Sequence, residues 1–172
     1  KIVQYREKCL HDFEKISQAK CLASLCKKYN SLFIINDRID IALAIDADGV
    51  HLGQEDIPTN IARELLGNEK IIGRSTHCLE HIKAAEEEGC DYIGIGPIFP
   101  SETKKQLNPI GIDSLVRGLS ETHLPAFAIG GINSSNIDKL KHINNLRIAV
   151  SDAIINSNDP FSKSEELLKS LV

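Results

Sequence analysis

An α/β fold built on parallel strands follows from three observations in the sequence. Short apolar runs of four or five residues recur seven times, and longer amphipathic stretches separate them. Most of the runs are rich in Ile, Val, Leu or Phe, which is how strands covered on both faces read. Polar and charged residues follow the runs closely, and in barrels of such units the carboxyl ends of the strands carry the active site.

The runs are Ile2–Tyr5, Leu32–Ile35, Gly49–Leu52, Ile71–Ser75, Tyr92–Gly96, Ala126–Ile129 and Arg147–Val150. Between the first two, Phe13, Ile16, Ala19, Ala23 and Cys26 recur at helical spacing. Ile39, Ala42 and Leu43 repeat that spacing, as do Leu79 and Ile82. The pair Asp159-Pro160 predicts a last helix, with Asp as the cap and Pro at the first helical position. Its apolar side is expected to be Phe161, Leu168 and Leu171. The order is β(αβ)₆α, which calls for parallel pairing and right-handed crossovers.

An open doubly wound sheet and a closed barrel both satisfy that order. Seven strands are one short of the eight of a (β/α)8 TIM barrel. The 172 residues contain no methionine and open on Lys1. The expectation is therefore a single barrel domain over residues 1–172 that supplies strands two to eight, with the first βα unit missing from the N-terminus of this chain.

Composition narrows the function. Apolar residues at 42% and charged residues at 26% are ordinary globular usage. A net charge of −4 provides no general field for nucleic acid or an anionic membrane, so an anionic substrate needs a local cluster of cations. No apolar run approaches the roughly 20 residues of a membrane helix. The five cysteines are odd in number, and none are spaced Cys-x-x-Cys. They read as reduced, core-filling thiols of a cytoplasmic protein.

The residues that follow the strands sort by chemistry. Arg6, Lys8 and Lys104 are cations placed to converge on an anion. Gly130-Gly131 lets backbone N–H groups approach a ligand closely, and a helix expected from about Asn133 would add its positive end. Counting the missing strand, Gly131 and Ser151 follow strands seven and eight, where such barrels commonly bind phosphate. Asp37 and Asp56 follow adjacent strands, and two carboxylates plus substrate phosphates suit Mg²⁺. His51 reads as a packed, hydrogen-bonded histidine, while His77 stands near the mouth with no evident partner. There is no Walker loop, no GxGxxG and no nucleophile elbow.

The motifs Val3-Gln4-Tyr5-Arg6-Glu7-Lys8, Ile35-Asn36-Asp37-Arg38 and His51-Leu52-Gly53-Gln54-Glu55-Asp56 resemble those of thiamine phosphate synthases. So do Gly73-Arg74-Ser75-Thr76-His77, Gly94-Ile95-Gly96-Pro97, Thr103-Lys104 and Ile129-Gly130-Gly131-Ile132, in the family's order along nearly the whole chain. The resemblance implies a transferase that joins hydroxymethylpyrimidine diphosphate to a thiazole monophosphate, releasing pyrophosphate and forming thiamine phosphate. It implies that Gln4, Tyr5, Arg6, Glu7, Lys8, Asn36, Ser75 and Lys104 bind the diphosphate. Arg6, Lys8 and Lys104 would be the catalytic cations, and Asp37 and Asp56 would hold Mg²⁺. Ser101, Glu102, Thr103, Gly131, Val150 and Ser151 would bind the thiazole phosphate.

The chain departs from the family pattern near its end, where Asp152 follows Ser151. An acidic side chain facing a phosphate would be unfavourable, which leaves the register of the Val150–Ser151 stretch open by one residue. Three rivals stand beside the synthase. They are a thiazole tautomerase of the same fold, a phosphoribosyl isomerase, and a non-catalytic module that binds thiazole phosphate. The tautomerase branch lacks the metal aspartates and the Gly-Gln-Glu-Asp stretch, both present here. The partners expected are small-molecule substrates, with no nucleic acid and no membrane, and a homo-oligomer remains compatible with the sequence.

Overall fold

The computed structural model describes residues 1–101, 106–144 and 146–171. The chain divides into two compact units. The first holds residues 1–75 with 87–91, and the second holds 76–86 with 92–172.

In the first unit the order is β1 (Ile2–Tyr5), α1 (Asp12–Lys28), β2 (Leu32–Asn36), α2 (Ile39–Ala44), β3 (Gly49–Leu52), α3 (Thr59–Leu66) and β4 (Ile71–Thr76, whose last residue belongs to the second unit). β1 pairs with β2, β2 with β3 and β3 with β4, all parallel. Phe33, Ile34 and Ile35 are consecutive and all buried, so β2 is covered on both faces. Val50, Leu52 and Ile72 extend that core, and Ala19, Cys26, Ala42 and Ala62 of the helices close over it. Burying each such aliphatic side chain is worth about 1.5–3 kcal/mol.

Two aspartates brace the strand starts. Asp48 accepts the Phe33 N–H at 2.7 Å, and Asp91 accepts the Ile72 N–H at 2.7 Å and an Arg63 guanidinium N–H at 2.7 Å. The opposite strand ends are thereby left to other chemistry. Helix α1 carries Asp12 and Glu14 in its first turn and Lys27 and Lys28 in its last, in accord with the helix dipole.

The second unit contains α4 (Leu79–Glu87, its last residue in the first unit), β5 (Tyr92–Ile95), α5 (Gly111–Ser120), β6 (Ala126–Ile129), a 3-10 turn (Ile137–Leu140), β7 (Arg147–Ala149), α6 (Asp152–Ile155) and α7 (Pro160–Lys169). β5 pairs with β6 and β6 with β7, again parallel. Ile93, Ile95, Ile98, Leu115, Ala128, Ile137 and Leu140 are all buried. Asp159 caps α7 by accepting the N–H groups of Phe161 and Ser162, each at 3.1 Å.

All seven expected strands form, within a residue of their expected ends. Several side-chain expectations fail. Phe13 is 85% exposed although it shares the spacing of the buried Ala19 and Cys26. In α7, Phe161 and Leu168 are exposed while Leu167 is buried. The inward stripe there runs through Lys163, Ser164, Leu167, Ser170 and Leu171, the last as expected. The helix expected from Asn133 is replaced by asparagine-built turns leading into the 3-10 turn. Of the cysteines, Cys26 and Cys90 fill the core, but Cys9, Cys21 and Cys78 are exposed free thiols.

Candidate active site

In the first unit the register of the strands sets the site. Asn36 of β2 lies beside His51 of β3, and Leu52 beside Arg74 of β4. The segments that follow β2 and β3 therefore begin within a residue of one level, while β4 runs two residues further, to Thr76. Asp37 comes next after β2, and its N–H donates to the His51 carbonyl at 2.9 Å. The Arg38 N–H reaches back to the Asn36 carbonyl at 2.8 Å, holding Asp37 at φ 61°, a left-handed conformation uncommon for a non-glycine residue. Such strain concentrates at functional sites.

Lys8 forms an ion pair with Asp37. Asp56 arrives from a turn in which its Oδ2 accepts the Gly53 N–H at 2.6 Å. A side chain at residue 53 would crowd that oxygen at 2.9 Å, which accounts for the glycine of the Gly-Gln-Glu-Asp stretch. The two aspartate carboxyls stand near enough for each to shift the other's titration. Burial disfavours charge on Asp37, but the hydrogen bonds from Lys8 and Asp56 and the charges of Lys8 and Arg6 outweigh it and hold its carboxyl below the usual range. Asp56 is pushed up, first by burial and then by the neighbouring Asp37 carboxylate, against the pull of the Gly53 N–H and Lys8. The two acids thus shift in opposite directions, as carboxyls sharing a site do.

Ser75 is buried at the end of β4, and its Oγ shares a hydrogen bond with His51 Nε2 at 2.9 Å. The Gln54 side-chain amide donates to the Ser75 carbonyl at 2.6 Å. His51 and Gln54 were not placed in the site from sequence, although both stand in the stretch that ends at Asp56. Among the residues expected to bind diphosphate, Arg6, Lys8, Asn36 and Ser75 lie at the strand ends, and Gln4 sits on β1 on the face opposite Tyr5. Tyr5 turns into the layer under α1. Its hydroxyl donates to Gln18 Oε1 at 2.9 Å, and its ring stands 6.4 Å from that of Phe33. Glu7 caps its own turn by accepting the N–H groups of Cys9 and Leu10. Arg38 faces away, gripping Asp12 and Asp40.

In the second unit Gly130 and Gly131 both take positive φ, 97° and 67°, directly after β6. A Cβ on Gly131 would lie 2.3 Å from the Pro100 carbonyl oxygen, so only glycine fits. Ser101 is half-buried, Val150 half-buried and Ser151 exposed, and Ser151 stands as the residue before α6. A cavity of about 410 Å³ lies alongside, lined by Asn133, Ser134, Asp152, Asn156 and Lys163 among others. Glu102 and Thr103, expected at the thiazole phosphate, and Lys104, expected at the diphosphate, lie outside the described residues. His77 acquires a partner that the sequence did not reveal, the Gly96 carbonyl at 2.5 Å from Nδ1.

Asp37 and Asp56 are hard oxygen donors. Among the described residues no group of three or more His, Cys, Asp or Glu is placed to hold a metal ion. Two carboxylates fit a cation whose other ligands come from substrate oxygens and water, as Mg²⁺ prefers. No helix among the described residues is long and apolar enough to cross a membrane.

Parallel α/β units with polar and glycine-rich segments just past their strand ends define a class of proteins whose functional sites lie at those ends. Within that class, the family model for thiamine monophosphate synthase matches residues 1–154, and the chain belongs to this family. Relatives named thiamine-phosphate synthase from two strains of Prochlorococcus marinus share 53% and 55% identity with it over 170 residues. These alignments cover 99% of this chain but 48% and 49% of the relatives. The chain spans about half the length of these curated relatives. A thiamine phosphate pyrophosphorylase from Pyrococcus furiosus superposes with a TM-score of 0.91 at 37% identity, over 99% of this chain and 82% of that one. The 3-hexulose-6-phosphate synthase of Salmonella typhimurium, at 16% identity and a TM-score of 0.65 over 89% of this chain and 79% of its own, shares the fold alone.

Proposed function

We propose that this chain carries the active site of a thiamine-phosphate synthase, a transferase that condenses hydroxymethylpyrimidine diphosphate with thiazole monophosphate to give thiamine phosphate and pyrophosphate. The observation that carries the reading is the meeting of Lys8, Asp37 and Asp56 at adjacent strand ends, in a chain so similar to relatives of that name. The bond from the pyrimidine methylene carbon to the diphosphate oxygen breaks, the pyrophosphate leaves with the electron pair, and the thiazole nitrogen forms the new C–N bond. No protein nucleophile is needed. Arg6, Lys8 and Lys104 neutralise the departing pyrophosphate, with Gln4, Asn36 and Ser75 positioning the pyrimidine half. Bound by Asp37 and Asp56, Mg²⁺ would supply further charge stabilisation to the leaving oxygens. Ser101, Glu102, Thr103, Gly131, Val150 and Ser151 hold the thiazole phosphate.

The same reading extends to architecture and setting. A (β/α)8 barrel would be completed by a strand preceding Lys1 on the free edge of β1, where Ile2 and Val3 are exposed. Exposed free thiols suit a cytoplasmic, reducing compartment. A thiazole tautomerase or a binding module without turnover is disfavoured by the intact aspartate pair. Incubating the full-length protein with both substrates should yield thiamine phosphate with Mg²⁺ and none once the metal is chelated. Absence of product in saturating Mg²⁺ would sink the proposal.

A further inference from the structure

The glycine turn after β6 is oriented by side chains that neither composition nor spacing singles out. The Gly130 carbonyl accepts the Phe99 N–H at 3.1 Å. The Gly131 carbonyl accepts two side-chain amides, Asn136 Nδ2 at 2.8 Å and Asn133 Nδ2 at 3.1 Å. A trans peptide is planar, so its N–H points opposite its C=O. Tying the Gly130 carbonyl therefore fixes the direction of the Gly131 N–H, and tying the Gly131 carbonyl fixes that of the Ile132 N–H.

Asn136 does the larger share. Its Oδ1 accepts the Asn133 N–H at 2.9 Å, so its Nδ2 must face Gly131, and the amide cannot be reversed without losing both bonds. One side chain thereby spans both ends of the turn. Asn133 is itself held, because its Oδ1 accepts the N–H and hydroxyl of Ser135 at 2.9 and 2.7 Å. Two donors on one carbonyl, at a pair of glycines forced into positive φ, exceed what is needed to start a four-residue 3-10 turn.

We propose that Asn136, seconded by Asn133, is a positioning residue for phosphate. It clamps the Gly131 carbonyl so that the Gly131 and Ile132 N–H groups face the phosphate monoester of the thiazole substrate. This rests on the proposed reaction for the identity of that substrate. Asn136 touches neither substrate; it acts through the turn.

The test uses the full-length protein and three variants, Asn136→Ala, Asn133→Ala and the double substitution. Steady-state kinetics should show the KM for thiazole monophosphate rising about five- to tenfold in Asn136→Ala and about two- to threefold in Asn133→Ala, since each removes one of the two amides on the Gly131 carbonyl and Asn136→Ala also frees the Asn133 N–H. The double variant should exceed the product of the two, because either amide partly holds the carbonyl alone. The KM for the pyrimidine diphosphate should stay within twofold in all three. A merely structural role would lower Tm and raise both KM values together, or neither, and either outcome overturns the proposal. The second readout is the amide NMR shift of Gly131 and Ile132 on titration with thiazole monophosphate. Both should move in the unsubstituted protein and move less in Asn133→Ala, the milder variant if Asn136→Ala does not fold. Shifts in these amides without any turnover would retire the synthase reading and keep the clamp, whereas turnover without such shifts would do the reverse.

Discussion

Gly131→Ala adds a single methyl group, and its consequence can be worked out from the geometry. The new Cβ would sit 2.3 Å from the Pro100 carbonyl oxygen and 2.8 Å from that of Phe99, where ordinary contacts begin at 3.4 Å. Both neighbours are backbone, which cannot rotate away. The position also has φ +67°, and the left-handed region costs an L-residue about 1–2 kcal/mol. Overpacking of this kind adds about 1–3 kcal/mol, for a total of roughly 2–5 kcal/mol. Gly89 supplies the control. It has nearly the same φ, +77°, but a Cβ there meets nothing within 4 Å. Gly89→Ala should therefore show the conformational cost alone, about 1–2 kcal/mol. In a chain of this size each kcal/mol lowers Tm by about 2–4 °C, so Gly89→Ala should lose roughly 2–8 °C and Gly131→Ala clearly more. The assay is thermal unfolding followed by circular dichroism, paired with the KM for thiazole monophosphate, which should rise only in Gly131→Ala. Equal Tm losses in the two variants with an unchanged KM would refute both the crowding argument and the placement of phosphate at this turn.

Other consequences are simpler to state. Asp37→Asn should keep the fold and lower Mg²⁺-dependent turnover by at least about a hundredfold, since it weakens the proposed metal pair; near-normal turnover would remove Asp37 from the site. His51→Phe leaves the buried Ser75 hydroxyl without that partner, a cost of about 1–3 kcal/mol. The KM for the pyrimidine diphosphate should rise as well, and unaltered stability and KM together would show that the His51–Ser75 bond positions nothing. Asp12 and Asp40 are held below the ordinary carboxylate range, foremost by hydrogen bonds from Arg38. Depressed carboxylates stabilise the fold above their unfolded pKa of about 3.8, and that stability disappears as pH falls through their lower folded values. Arg38→Gln should thus lower Tm at neutral pH and have little effect near pH 2; a Tm loss of the same size at both would contradict the ion-pair account.

How much was legible beforehand depended on whether a feature is local. All seven strands could be read because each is a short run with its own composition, bounded by polar residues. The cap at Asp159-Pro160 is equally local, and the structure reproduces it. Helix faces fared worse. Phe13 and Phe161 look like core residues by type and spacing, yet both face outward. A helix with apolar residues on two sides offers two stripes, and only the packed partner selects one. The site divides in the same way. Arg6, Lys8, Asn36, Asp37, Asp56, Ser75 and Gly131 stand at strand ends or a few residues beyond them, so strand order was enough to nominate them. Tyr5 was nominated through the family motif alone, and its hydroxyl is bonded to Gln18 under α1.

The sequence by itself determined the order of strands and helices, the residues that stand at the strand ends, and the family. These are properties of contiguous stretches, set by periodicity and by motifs a few residues long. Only the tertiary structure decided which of those residues meet. The approach of Asp37 to Asp56, the His51–Ser75 pair and the closure of two asparagine amides on the Gly131 carbonyl depend on register or on backbone direction within a turn. A shift of one residue in β3 against β4 would turn His51 to the other face, and no composition or local spacing records that choice.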